Sequence, residues 1–115
     1  MAFEIVSPPN RCKIGDSQIR IDGYGRVQVA WALLAQVGIR AACVVMADET
    51  SKRIAFAAPT NGEAVHSVMD GTAKHWANLS ISRAIRTCRF DPEEVGGIYD
   101  IVQENNMLTF TLKNR

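Results

Sequence analysis

Charge of one sign, long apolar runs, paired cysteines and clustered histidines are all scarce in this chain. Its 13 basic and 12 acidic residues leave a net charge of +1, so no global field attracts a polyanion and any nucleic-acid footprint must be a local patch. Dividing the chain at Gly62 changes little: 7 basic and 5 acidic residues precede that point, 6 and 7 follow it. No run approaches the roughly 18 apolar residues of a membrane span. Residues 1–10 lack the charged-then-apolar profile of a signal peptide. Cys12, Cys43 and Cys88 form an odd set without CxxC spacing, which argues against a disulfide framework or a zinc knuckle. Cys43 falls in an apolar strand and Cys88 on an apolar helix face, where free thiols act as small hydrophobes. Together these absences place the protein in the cytoplasm, away from membranes.

Catalytic signatures are equally thin. Gly23-Tyr24-Gly25 lacks the third glycine and the following helix of a dinucleotide fingerprint. Ser80 and Ser82 have no glycine-flanked elbow. His66 and His75 have no Cys, His or carboxylate at ligand spacing, so no metal site is expected. Asp22, Asp48 and Asp70 all sit in turns, where carboxylates satisfy backbone donors. The reading is a non-enzymatic protein without a cofactor.

What is present is a repeated order of elements. Asp22-Gly-Tyr-Gly-Arg26 and Asp70-Gly-Thr-Ala-Lys74 each follow one apolar run and precede another. Each is succeeded by a short apolar helix (Trp31–Val37; Ile81–Arg89) and a second hairpin (Ala42–Ala57; Ile98–Lys113). Gly38 is placed to stop the first helix, and Ser80 is placed to cap the second. The first helix has only Gln36 as a polar residue, so it is expected between the halves or against another chain. Phe3–Val6 alternates as a short edge strand, and Asn105-Asn106 marks the closing turn. A ββαββ unit this short cannot bury its own apolar face. The expected fold is therefore α+β: a β-rich single domain over 1–115, with pseudo-repeats near 18–59 and 64–113 interlocked into a small barrel or sandwich.

The first half resembles the AbrB-like transition-state regulators, swapped-hairpin DNA-binding proteins. Asp22, Gly25 and Arg26 fit their turn, Val27 and Val29 their strand, and Leu34 with Val37-Gly38-Ile39 the end of their helix. The second half matches Asp70, Lys74 and the helix–hairpin order. Ala30 stands where the family has proline, and Trp31–Val37 carries none of its arginines. The resemblance implies an interlocked fold, tandem units and DNA binding.

Two functional readings follow. In the first, Arg26 and Lys74 reach phosphate from equivalent turns, while Arg83, Arg86 and Arg89 form a basic stripe on the second helix facing duplex DNA. The competing local explanation is that Asp22–Arg26 and Asp70–Lys74 pair within their turns and Glu93 and Glu94 neutralise the stripe. In the second reading the chain is a protein-interaction module, such as a phage-type inhibitor or adaptor, anchored by Tyr24 and Trp31. A homodimer is compatible with either.

Overall fold

Alternation builds the first hairpin. Ile19 and Ile21 on β1 (Gln18–Ile21) and Val27 and Val29 on β2 (Arg26–Ala30) are all buried, as a period of two requires when one sheet face meets the core. The Asp22 carboxylate closes the intervening turn by accepting the N–H groups of Tyr24 at 2.8 Å and Arg26 at 3.0 Å. The computed structural model describes residues 17–60, 64–71 and 75–114. The expected strand Phe3–Val6, Cys12 and Lys74 lie outside them.

Two short helices follow their strands directly, α1 (Trp31–Gln36) after β2 and α2 (Ser82–Thr87) after β7 (Trp76–Ser80). Leu33 and Leu34 are buried on α1, Ala84 and Ile85 at the same places on α2. Both end alike. Ile39 N–H donates to Leu34 O and Gly38 N–H to Ala35 O; Phe90 N–H donates to Ile85 O and Arg89 N–H to Arg86 O. This pair of bonds satisfies carbonyls left over at a helix end and needs a left-handed residue. Gly38 has φ 77° there, whereas Arg89 has φ 68°. At Gly38 a Cβ would meet only the Ala58 methyl, at 3.7 Å, so Gly38→Ala is opposed by backbone strain and not by space. The expected loss is about 1–2 kcal/mol, read as a lower urea midpoint with an unchanged slope.

Two expectations about the helices are revised. Ser80 belongs to β7, and Ile81 occupies the cap of α2 without a side-chain cap bond. The first helix also has a solvent face, formed by Ala32, Ala35 and Gln36. Small side chains make that face without adding polarity, so a hydropathy pattern does not reveal it.

The remaining strands are β3 (Ala42–Asp48), β4 (Arg53–Ala57), β5 (His66–Ser67), β6 (Met69–Asp70), β8 (Gly97–Asp100), β9 (Val102–Glu104) and β10 (Met107–Thr111). They form two antiparallel sheets, ordered β6-β7-β2-β1-β8 and β5-β3-β4-β10-β9. Neither closes into a barrel; the barrel alternative is replaced by two open sheets. At the centre of the first, Val27 faces Leu79 and Val29 faces Ala77. That ladder runs on at both ends, where Ile81 N–H donates to Gly25 O and Trp31 N–H to His75 O. The pairings β1·β8, β2·β7, β3·β5 and β4·β10 each join a strand before residue 61 to one after residue 63.

Two strand segments pass from one sheet to the other. β5 turns into β6 at Val68, and β8 into β9 at Ile101; both hinge residues are buried. The expected hairpin over Ile98–Lys113 is thus divided. β8 pairs with β1, and only β9 and β10 form the hairpin. Its turn residues Asn105 and Asn106 have φ 49° and 63°, the left-handed pair that a two-residue connection demands.

Phe56, Phe110 and Tyr99 anchor the core, with ring centroids 5.7 Å and 5.5 Å apart. Tyr99 is buried with its hydroxyl satisfied, donating to Val95 O and accepting from Lys113 N–H. Cys43 and Cys88 are buried free thiols. Burial pushes the Cys43 thiol up to about 11 and raises that of Cys88, so both stay protonated near neutrality and serve as packing groups.

Candidate nucleic-acid interface

The Asp22–Arg26 turn and the start of α2 form one continuous surface. Gly25, at φ 84°, lies so close to α2 that a Cβ there would stand 3.0 Å from both Cα and Cβ of Ser82. Arg26 pairs in register with Ser80, two residues before the helix. Arg26, Arg83 and Arg86 are all exposed, and Tyr24 at the turn tip is 85% exposed. None of these three arginines forms an ion pair among the described residues. Two ion pairs occur there, Arg53–Glu104 and Arg89–Glu49.

Two of the expected neutralising contacts are replaced by others. Asp22 spends its carboxylate on the backbone of its own turn, not on the Arg26 side chain. Glu94 accepts the Asp91 N–H at 2.7 Å, closing the 3-10 turn Pro92–Glu94. Lys74 lies outside the described residues, while Asp70 accepts from the Trp31 indole N–H at 3.1 Å.

Arg89 leaves the stripe. Its Nε lies 2.5 Å from Glu49 Oε1 in the β3–β4 turn, which holds the Glu49 carboxyl below its usual range. The same turn sends the Lys52 ammonium to Cys88 O at 2.8 Å, where a cation meets the negative end of α2. Arg89 and Lys52 therefore fasten the helix to the second sheet. Their positive φ values, 68° and 60°, are not visible as residue types that favour such turns.

Arg20, which is not among the cations expected from sequence, joins the patch. Outside the core, one row crosses all five strands of the first sheet: Ile98, Arg20, Gln28, Asn78 and Met69, each the register partner of the next. Arg20, Asp22, Arg26, Gln28 and Asn78 line one shallow concavity. The signal was available, since burying Ile19 and Ile21 forces Arg20 onto the opposite face. Guanidinium and amide groups on an open sheet face match phosphate oxygens and base edges chemically. No family model, curated protein or solved structure matches this chain.

The corresponding end of the first half carries different chemistry. Ala32 and Ala35 on α1 take the exposed places that Arg83 and Arg86 take on α2. Trp31 is half-buried and lines an apolar groove with Ala35, Ile39, Val68 and Met69. Neither histidine gathers ligands: among the described residues no group of three or more His, Cys, Asp or Glu could hold a metal. His66 Nδ1 is buried and has no hydrogen-bond partner among the described residues. One backbone plan thus presents a cationic end and an apolar end.

Proposed function

We propose that this chain is a small, non-enzymatic DNA-binding regulator that engages duplex DNA through Arg20, Arg26, Arg83 and Arg86. Arg26 and the two α2 arginines emerge from one packed junction, Gly25 against Ser82, without carboxylate partners among the described residues. That single observation carries the reading. Arginine forks held in no ion pair among the described residues supply bidentate contacts to phosphate, and a helix beside an open sheet face offers side chains to base edges. The resemblance to AbrB-like regulators belongs to this proposal, as does a cytoplasmic setting. No helix among the described residues is long and apolar enough to cross a membrane.

The salt dependence of binding tests it. Four phosphate contacts correspond to a slope of about −3 to −4 in log affinity against log salt, or about 100-fold between roughly 50 and 200 mM. Fluorescence anisotropy with random-sequence duplex is expected to show this slope. Replacing Arg83 and Arg86 together by alanine should reduce its magnitude by about 2. Arg89→Ala should leave it unchanged, because that guanidinium is engaged by Glu49. An unaltered slope in the double variant, with the protein folded, contradicts the proposal.

A second reading, protein recognition through Trp31, is favoured by a different observation, the apolar groove beside that ring; Tyr24, the other expected anchor, stands instead at the tip of the Asp22–Arg26 turn.

A further inference from the structure

The centre of the first sheet is unchanged when the two halves of the chain are exchanged. The exchange takes Val27 to Ala77, Gln28 to Asn78 and Val29 to Leu79, and the β2·β7 register is the same afterwards. Arg20 on β1 and Met69 on β6, which face Gln28 and Asn78, exchange as well. A local two-fold axis normal to the sheet therefore passes between Gln28 and Asn78, themselves register partners. Val27, Val29, Ala77 and Leu79 are buried, so both carboxamides lie on the outer face.

On the axis that face carries the same group twice. Away from it Arg20 corresponds to Met69, and Arg26 to Trp76. Gln28 and Asn78 are half-buried and line one concavity with Arg20 and Arg26. Neither carboxamide is hydrogen-bonded among the described residues, whereas the Gln18 amide on the same face donates to the Asp100 carboxylate at 3.0 Å. Two donor–acceptor pairs, their rotamers already limited by the flanking strands, thus stand side by side next to the arginines.

We infer, on the reading that this surface binds duplex DNA, that Gln28 and Asn78 determine its sequence specificity, each taking one adenine, the two adenines lying on opposite strands at adjoining base pairs. A carboxamide presents an acceptor and a donor together, and in the major groove adenine is the base that offers the complementary pair, N7 and the N6 amino group. Residues facing each other across an antiparallel ladder are about 5 Å apart, close to the rise of about 3.4 Å between base pairs. Duplex DNA has two-fold axes of its own, and a two-fold protein surface aligned with one meets the two strands with equivalent residues. From Arg20 to Asn78 is two strand spacings, about 10 Å, within the roughly 12 Å width of the major groove. The arginines then hold the backbone on one side while the central amides reach the bases.

The test is selection by the full chain from duplexes with a random central segment, followed by anisotropy on the selected site and its single-base variants. Adenines on opposite strands at adjoining base pairs are the expected outcome, and changing either A·T pair to G·C should weaken binding about tenfold. Gln28→Ala should level the preference at one of these base pairs, and Asn78→Ala at the other. Gln28→Glu should exchange adenine for cytosine at its base pair, because a carboxylate accepts from the cytosine amino group; a packing role for Gln28 gives no such exchange. Binding of random duplex without preference at adjoining base pairs, or an adenine preference that survives the alanine and glutamate variants, overturns this inference and leaves the DNA reading standing. Absence of binding to any duplex at low salt overturns both.

Discussion

Gly25→Ala is expected to destabilise the protein by about 3 kcal/mol, well beyond the loss at Gly38. Both glycines sit at positive φ, 84° and 77°, and both alanine variants incur the left-handed strain of about 1–2 kcal/mol. Only at Gly25 does the new methyl meet backbone, 3.0 Å from Ser82 Cα. Neither the turn nor α2 can yield cheaply there: Ile81 N–H is bonded to Gly25 O at 2.8 Å and Ile85 N–H to Ile81 O at 3.0 Å. Forcing an extra methyl into such a contact costs about 1–3 kcal/mol more. Urea denaturation of the two variants side by side checks this, and equal losses would deny the turn–helix contact. Below its unfolding temperature the Gly25 variant should also bind DNA more weakly, since the turn that carries Arg26 can no longer sit on α2.

Phe56→Ala should lower stability further, by about 3–5 kcal/mol. The ring is fully buried, 5.7 Å from that of Phe110, and its strand neighbours Leu108 opposite and Val45 on the other side. β4 and β10 supply the middle of the second sheet, so a void there is walled by strands held in register on both edges and cannot collapse. A small domain has only about 5–15 kcal/mol in total, which leaves this variant marginal. Calorimetry should show the transition about 10–25 °C lower. Phe56→Leu should recover most of that loss, leaving a cost of about 1–1.5 kcal/mol; near-equal effects of the two variants would mean that the ring is not enclosed.

How far the sequence reveals this molecule depends on whether a feature is local. Ile19, Ile21, Val27 and Val29 announce a strand pair by alternation, and Asn105-Asn106 announces its turn. The stop at Gly38 is legible for the same reason, because a residue free of Cβ strain best suits φ 77°. The equivalent stop at Arg89 is not legible, since an arginine is held there by contacts from another turn, Glu49 to its side chain and Lys52 to the neighbouring carbonyl. Arg89 consequently reads as a free cation in sequence although it is a fastening.

The division of Ile98–Lys113 between two sheets was hidden as well. Nothing about Ile101 marks a hinge; its burial and its bond to Ser17 O arise only once β1 lies alongside. Arg20 is legible as well, because the buried isoleucines on either side of it assign its face. The apolar groove is not legible because Trp31, Ile39, Val68 and Met69 come together only in the fold.

The most direct measurement is amide chemical-shift mapping of the ¹⁵N-labelled chain titrated with duplex DNA at low salt. Perturbations confined to residues 20–28 and 78–87, with the Arg83 and Arg86 side-chain resonances moving together with Arg26, are the expected result. Perturbations centred on residues 31–41 and 67–71, or none at all, would contradict the assignment of this surface to DNA.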